Sequence, residues 1–206
     1  MPYLVCFLWF AFWVCFGGWH GSRADRAPVT IFAMSSPWTH LAPCRFGLLF
    51  AVLTLLFGFG LGIAFGAAED DLKMGLEESA NEVLDSVYGG DRTIAIKVTK
   101  KSWVYFKRAH LHANGLGTSA LALILLLTCL TASNRTKSLL AMASGIGGLG
   151  YSVYWLLAGC LAPGLGSTSL AKESLEWLAI PTSGLCVVGL VGILVVLVRN
   201  IVRTPR

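Results

Sequence analysis

The residues of this chain with the most capacity for chemistry lie in the stretch KRAHLHANGLG, Lys107 to Gly117. Two imidazoles, His110 and His112, stand one residue apart, and the amide of Asn114 follows. Such groups can ligate haem iron or a divalent metal, or hydrogen-bond a quinone. Residues two apart on a helix point roughly 200° apart, so the pair cannot hold one ion from a regular helix. His110 shares a face with Asn114 and Thr118, whereas His112 shares one with Tyr105, Arg108 and Gly115. This spacing predicts that only one histidine face looks into the protein, and it favours His110 with Asn114. A haem with two axial histidines would need its second from elsewhere in the chain, and His20 and His40 lie before the apolar run 46–68. One axial histidine completed by another subunit stays open. So does a divalent metal held by one histidine with Glu173 or Glu176, since imidazole and carboxylate suit Zn, Fe or Mn. The plainer account is an interfacial one, in which His and Asn at a helix opening bond headgroups, water or a neighbouring loop. The two glutamates have a plain account too: GSTSLAKESLEW reads as a helix start, with Ser167, Thr168 or Ser169 as cap and acids in the first turns.

What positions these residues is a set of long apolar runs. The 206 residues are 55% hydrophobic and 13% charged, with a mean hydropathy of +0.70. A soluble domain carries about a quarter charged residues, so the chain belongs to the membrane class. Four segments reach the roughly 20 apolar residues a span needs: 46–68, 109–134, 138–161 and 177–198. The third is expected to end near Cys160, because Pro163 and the Gly-rich APGLGS follow it. Residues 1–45 are apolar at their start, rich in Trp, Phe and Cys, and lack the charged opening of a signal peptide. Three readings of them stay open: a fifth span, a signal, or a gene-model extension upstream of a true start at Met34.

Because spans alternate in direction, the end of the first, the start of the second, the end of the third and the start of the fourth share one membrane face. That face collects Glu69, Asp70 and Asp71, then His110, His112 and Asn114, then Tyr151, Tyr154 and Trp155, then Lys172, Glu173, Glu176 and Trp177. The opposite face holds Arg45, Arg135, Lys137, Arg199, Arg203 and Arg206, whereas the short loop 162–176 holds only Lys172. Excess Lys and Arg in short loops marks the cytoplasmic side, which predicts a cytoplasmic C-terminus. The cluster Lys97, Lys100, Lys101, Lys107 and Arg108 runs the other way, but it sits in a long, acid-containing segment that counts less.

That segment, residues 69–108, begins EDDLKMGLEESANEVLDSVY. Leu72, Leu76, Ala80, Val83 and Val87 recur at helical spacing with acids opposite, which predicts an amphipathic helix stopped by Gly89 and Gly90. So acidic a face suits another helix or a partner subunit better than an anionic lipid surface. TIAIKVT alternates like a strand, but no second strand is visible to pair with it. The preferred reading is a helix from about Lys97 running into span two. Trp103, Tyr105 and Phe106 would then form a headgroup-level belt, with Lys107 and Arg108 snorkelling beside it.

Gly58, Gly62 and Gly66 recur every fourth residue in span one, a device for close helix packing. SGIGGLG in span three and Gly184, Gly189 and Gly192 in span four extend it. No Asp, Glu, Lys or Arg lies within a span, which weighs against an ion-coupled transporter. The six cysteines form no CxxC and lie in or beside apolar runs, which disfavours a disulfide framework or thiolate metal site. No basic stripe with interleaved aromatics points to nucleic acid.

RAHLHANGLG leading into an apolar helix resembles the H-x-H helix openings in small relatives of haem-copper oxidase subunit I. The resemblance spans about ten residues; spans one, three and four lack histidine, so haem ligation is not carried over with it. The chain as a whole resembles bacterial four-helix inner-membrane proteins with an amphipathic segment between the first two spans, which implies an architecture and no activity. The expectation is an all-α integral membrane protein of the bacterial inner membrane: a four-helix transmembrane bundle, non-catalytic, working as a subunit or accessory factor of a membrane complex or by self-association. Its candidate polar cluster is His110, His112, Asn114, Tyr154, Glu173 and Glu176. Two alternatives stand beside it: a redox subunit binding haem, quinone or a metal near His110 and His112, and a small-solute transporter or channel.

Overall fold

The computed structural model describes residues 37–203, and every element among them is helical. The extra span, signal or extension read in the first residues, and the start at Met34, fall outside them. A short α1 (Pro37–Leu41) and a 3-10 turn (Ala42–Cys44) lead into α2 (Arg45–Asn81). Then come α3 (Leu84–Tyr88), α4 (Arg92–Cys129), α5 (Asn134–Gly164), α6 (Thr168–Glu173) and α7 (Glu176–Arg203). Four of these, α2, α4, α5 and α7, are long and apolar enough to cross a membrane. The chain is an all-α four-helix bundle.

Local chemistry sets the boundaries. Ala68, the expected end of span one, is the non-helical residue inside α2, with φ −144° and ψ 34°. Beyond it the amphipathic continuation buries Leu76 and Ala80 and leaves its acids exposed. Gly89 and Gly90 stop α3 at φ 60° and 80°, a left-handed backbone that glycine adopts without a Cβ penalty. Asp91 then caps α4 by accepting from the N–H groups of Thr93 at 2.8 Å and Ile94 at 3.2 Å. So α4 starts five residues before Lys97, and TIAIKVT is helical despite its β-branched residues. Ser167 is the cap of α6, accepting from Ser169 and Leu170. The third span runs past Cys160 and takes Pro163 into its last turn. The Leu165 N–H closes on the Leu161 and Pro163 carbonyls, and Gly166 at φ 67° makes the turn.

Most of the amphipathic stripe is covered within the chain, whereas Val87 is exposed. Ala80 and Tyr88 pack with Ala95 and Val98 of α4, Ala162 of α5 and Ala171 of α6. The Tyr88 hydroxyl donates to the Pro163 carbonyl at 2.7 Å, tying the connector to the end of span three. Burial pushes the Tyr88 phenol above its ordinary value.

The bundle is built around α5, which packs against α2, α4 and α7, whereas α4 and α7 barely meet. The reason is in its composition: Ala141, Ser144, Gly145, Gly147, Gly148, Ser152, Ala158 and Gly159 are all buried. Small residues around the whole circumference let three backbones approach. A Cβ on Gly145 would lie 2.6 Å from the Gly47 carbonyl oxygen of α2, one on Gly147 2.6 Å from the Cys186 nitrogen of α7, and one on Gly159 3.0 Å from the Ser102 carbonyl oxygen of α4. The gap between α4 and α7 is an apolar groove of about 460 Å³ lined by Leu116, Leu123, Cys186, Val187 and Leu190.

Candidate functional site

The stretch Arg108 to Asn114 lies on α4 between two neighbours, and the structure places the two histidines on opposite sides of that helix. His110 faces α2. Its Nδ1 lies 2.8 Å from the Gly58 carbonyl oxygen, and its ring meets Phe65 edge-on, with centroids 5.8 Å apart. A carbonyl only accepts, so Nδ1–H is the donor of this contact. Asn114 bonds the His110 carbonyl at 3.0 Å, and its amide nitrogen lies 3.5 Å from Nε2.

The glycines of span one make room for this pair. A Cβ on Gly62 would stand 2.9 Å from the His110 Cε1, and one on Gly58 2.9 Å from the Asn114 Oδ1. Gly66 is exposed with open space around it. Two of the three expected packing glycines therefore form the seat of His110 and Asn114, and the third does not.

His112 faces α5. It meets Tyr151 edge-on at 5.1 Å and stacks on Trp155 at 5.9 Å. Tyr105, buried on the same face, meets Trp155 at 5.0 Å. Tyr154 is buried with Tyr105, Ala158 and Leu175. The Arg108 guanidinium lies over the Trp155 ring at 4.8 Å and the Tyr105 ring at 5.5 Å, a cation–π arrangement. The Trp155 Nε1 is buried without a hydrogen-bond partner.

Three expectations change here. Both histidines look into the protein, because α4 is flanked by α2 on one side and α5 on the other; the inference that only one could do so assumed a single inward face. Tyr105 and Phe106 are core residues, 2% and 6% exposed, so they are not a lipid-facing belt. Trp103 packs on Phe65 at 5.1 Å, with the Lys73 ammonium 5.4 Å from its ring centre. Arg108, expected to snorkel beside that belt, lies over the Trp155 and Tyr105 rings next to His112.

The six residues of the candidate cluster lie on two sides of α4, with the Glu176 carboxylate within electrostatic reach of the Tyr154 hydroxyl. His110 and Asn114 lie against α2, and His112 and Tyr154 lie towards α5. Glu173 and Glu176 are exposed, and among the described residues no ion pair or hydrogen bond joins either to a histidine. No three His, Cys, Asp or Glu side chains among those residues are grouped as metal ligands would be. The arrangement can orient two imidazoles and hold three helices in register through them.

A second polar constellation, at the other end of the bundle, escaped the sequence reading. Lys137 is 9% exposed, and its ammonium donates to the Thr128 carbonyl at 2.9 Å. It satisfies a carbonyl at the C-terminal end of α4, where the helix dipole favours a cation. The Cys44 thiol donates to the Lys137 carbonyl at 3.9 Å. The Asn200 amide clamps Thr131, accepting from its N–H at 2.8 Å and donating to its carbonyl at 3.1 Å. Lys137 had been read only as a loop charge; its place three residues into the helix that Ser133 caps was the available signal. Compared with protein-family models, with curated proteins and with solved structures, the chain matches none.

Proposed function

We propose that this chain is a non-catalytic, multi-span protein of the bacterial inner membrane, with its C-terminus in the cytoplasm, serving as a subunit or accessory factor of a membrane complex. The carrying observation is that glycines face outward on the first and last spans. Gly60 of α2 and Gly184 of α7 are exposed, with nothing within 4 Å of where a Cβ would stand. Gly60 sits among the exposed Leu56, Phe59 and Ile63. A span that meets only lipid gains nothing from glycine, whereas a neighbouring transmembrane helix gains close approach. The engagement of His110 and His112 in contacts between helices supports the non-catalytic part, and the resemblance to bacterial four-helix inner-membrane proteins agrees with it. Mild-detergent purification followed by native electrophoresis tests the reading. Wild-type protein is expected in an assembly larger than the monomer, and Gly60→Leu with Gly184→Leu is expected to release a folded monomer. A wild-type chain that runs as a stable monomer with nothing bound sinks the proposal.

The redox alternative keeps one specific support. A histidine whose Nδ1–H is fixed by a backbone carbonyl presents Nε2 as a ligand, as metal-bound histidines do. An optical spectrum and metal analysis of solubilised protein decide it: no Soret band, no metal and no extractable quinone would end that reading.

A further inference from the structure

Among the described residues, the end of the bundle opposite His110 and His112 has cationic side chains and no Asp or Glu. Arg45, Arg135, Lys137, Arg199 and Arg203 gather there, while every Asp and Glu among the described residues lies in 69–91 or 173–176, at the other end. Contacts bring these segments together independently of any membrane. Cys44 bonds Lys137, Lys137 bonds Thr128, and Asn200 bonds Thr131.

A cavity of about 340 Å³ opens at this end, between the 130–133 turn and the last turns of α7. Arg199 and Arg203, four residues apart on one helix face, line one side; Thr131, Ser133 and Thr136 line the other. The two-way clamp of Asn200 on Thr131 holds the walls together. Ser133 and Thr136 share one hydroxyl hydrogen bond at 2.8 Å, which leaves one hydroxyl proton for a ligand. Val196 and Ala132 supply apolar lining. On its outer face the same stretch of α7 exposes Val195, Val198, Ile201 and Val202, side chains that belong in lipid. The arginines thus stand where an apolar helix face meets the headgroup layer.

We infer that this cavity is a binding site for the phosphate of an anionic phospholipid, gripped by the guanidinium forks of Arg199 and Arg203 with a hydroxyl of Ser133 or Thr136. Guanidinium matches phosphate geometry through paired N–H donors, and basic pockets between transmembrane helices suit acidic headgroups. The phosphate supplies a counter-charge that no described Asp or Glu supplies at this end.

The test is lipid titration of the full-length protein in neutral detergent, read by thermal unfolding and native mass spectrometry. Phosphatidylglycerol, phosphatidylcholine and inorganic phosphate are the three probes. Phosphatidylglycerol is expected to bind and protect, with phosphatidylcholine at least tenfold weaker. Arg199→Gln with Arg203→Gln should abolish that preference. Arg45→Gln with Arg135→Gln removes the same charge from the same end outside the cavity and should keep it. If the glutamine pair does not fold, Arg199→Lys with Arg203→Lys keeps the charge, loses the forks and should weaken binding severalfold. Equal loss in both glutamine pairs, unchanged binding in the lysine pair, or no lipid preference in the wild type overturns the site. Protection by inorganic phosphate with none from lipid overturns the assignment to phospholipid.

Discussion

At the scale of single residues, His110 and Gly62 form one unit: the glycine exists where the imidazole must pass. This gives a coupling test. Gly62→Ala should destabilise the protein by roughly 1–3 kcal/mol, because the new methyl meets the ring at 2.9 Å. His110→Ala should cost about 1 kcal/mol for the lost bond to Gly58, within the range for hydrogen bonds between membrane helices. Together the two should cost less than their sum, since removing the ring removes the clash. Reversible unfolding in mixed micelles measures all three, and strict additivity would show that the two residues do not touch. Gly66→Ala is the contrast: with open space around it, the change should be neutral or should stabilise by up to about 1 kcal/mol. Lys137→Met tests the buried ammonium. It leaves the Thr128 carbonyl without its side-chain donor and should destabilise by about 1–3 kcal/mol.

At the scale of elements, the connector between the first two spans is held by a cap and a strap. Asp91→Ala removes the acceptor for two N–H groups at the start of α4 and should cost about 1 kcal/mol. Tyr88→Phe removes the strap to Pro163 at a similar cost. The strap also carries a pH dependence. The Tyr88 phenol is raised by burial, so above about pH 10 the unfolded chain releases its proton before the folded one does. Stability from this group is therefore complete below that pH and declines as pH climbs towards the folded value. Tyr88→Phe should unfold with a shallower loss of stability above about pH 10 than wild type. Identical profiles would show that the hydroxyl is not buried in solution. The connector also shows where sequence patterns compete. The β-branched run Thr93 to Thr99 suggests a strand, yet the Gly-Gly stop and the Asp91 cap ahead of it settle a helix, because local capping and tertiary burial outweigh β propensity.

At the scale of the whole molecule, the bundle depends on α5 being small on every side. Gly147→Leu should yield no folded protein, since the α7 backbone nitrogen of Cys186 occupies the space its side chain needs. Gly184→Leu, on the open face of α7, should fold. Protease resistance in detergent distinguishes the two, and a folded Gly147→Leu protein would mean that α5 and α7 do not pack as described. That four helices are long and apolar enough to span was legible from runs of apolar residues alone, and the first run stops at Ala68, where α2 has its non-helical residue. A run length answers directly to bilayer thickness, whatever the neighbours are. The overrun of α5 through Pro163 was not legible, because a proline in a last turn forfeits few bonds and Gly166 makes the actual turn. Which face meets which neighbour was not legible either. A span that is apolar all round carries no polar face to mark its outside, so periodicity gives the faces of α4 without saying that two of them are buried. The sequence by itself determined a membrane protein of four helices, a glycine-faced first span and a polar opening at His110. The tertiary structure alone decided that His110 and His112 serve different neighbours, that neither Glu173 nor Glu176 bonds either of them, and that Arg199 and Arg203 flank a cavity. These are contacts between residues distant in sequence, fixed by the packing of small side chains on α5 rather than by any local pattern.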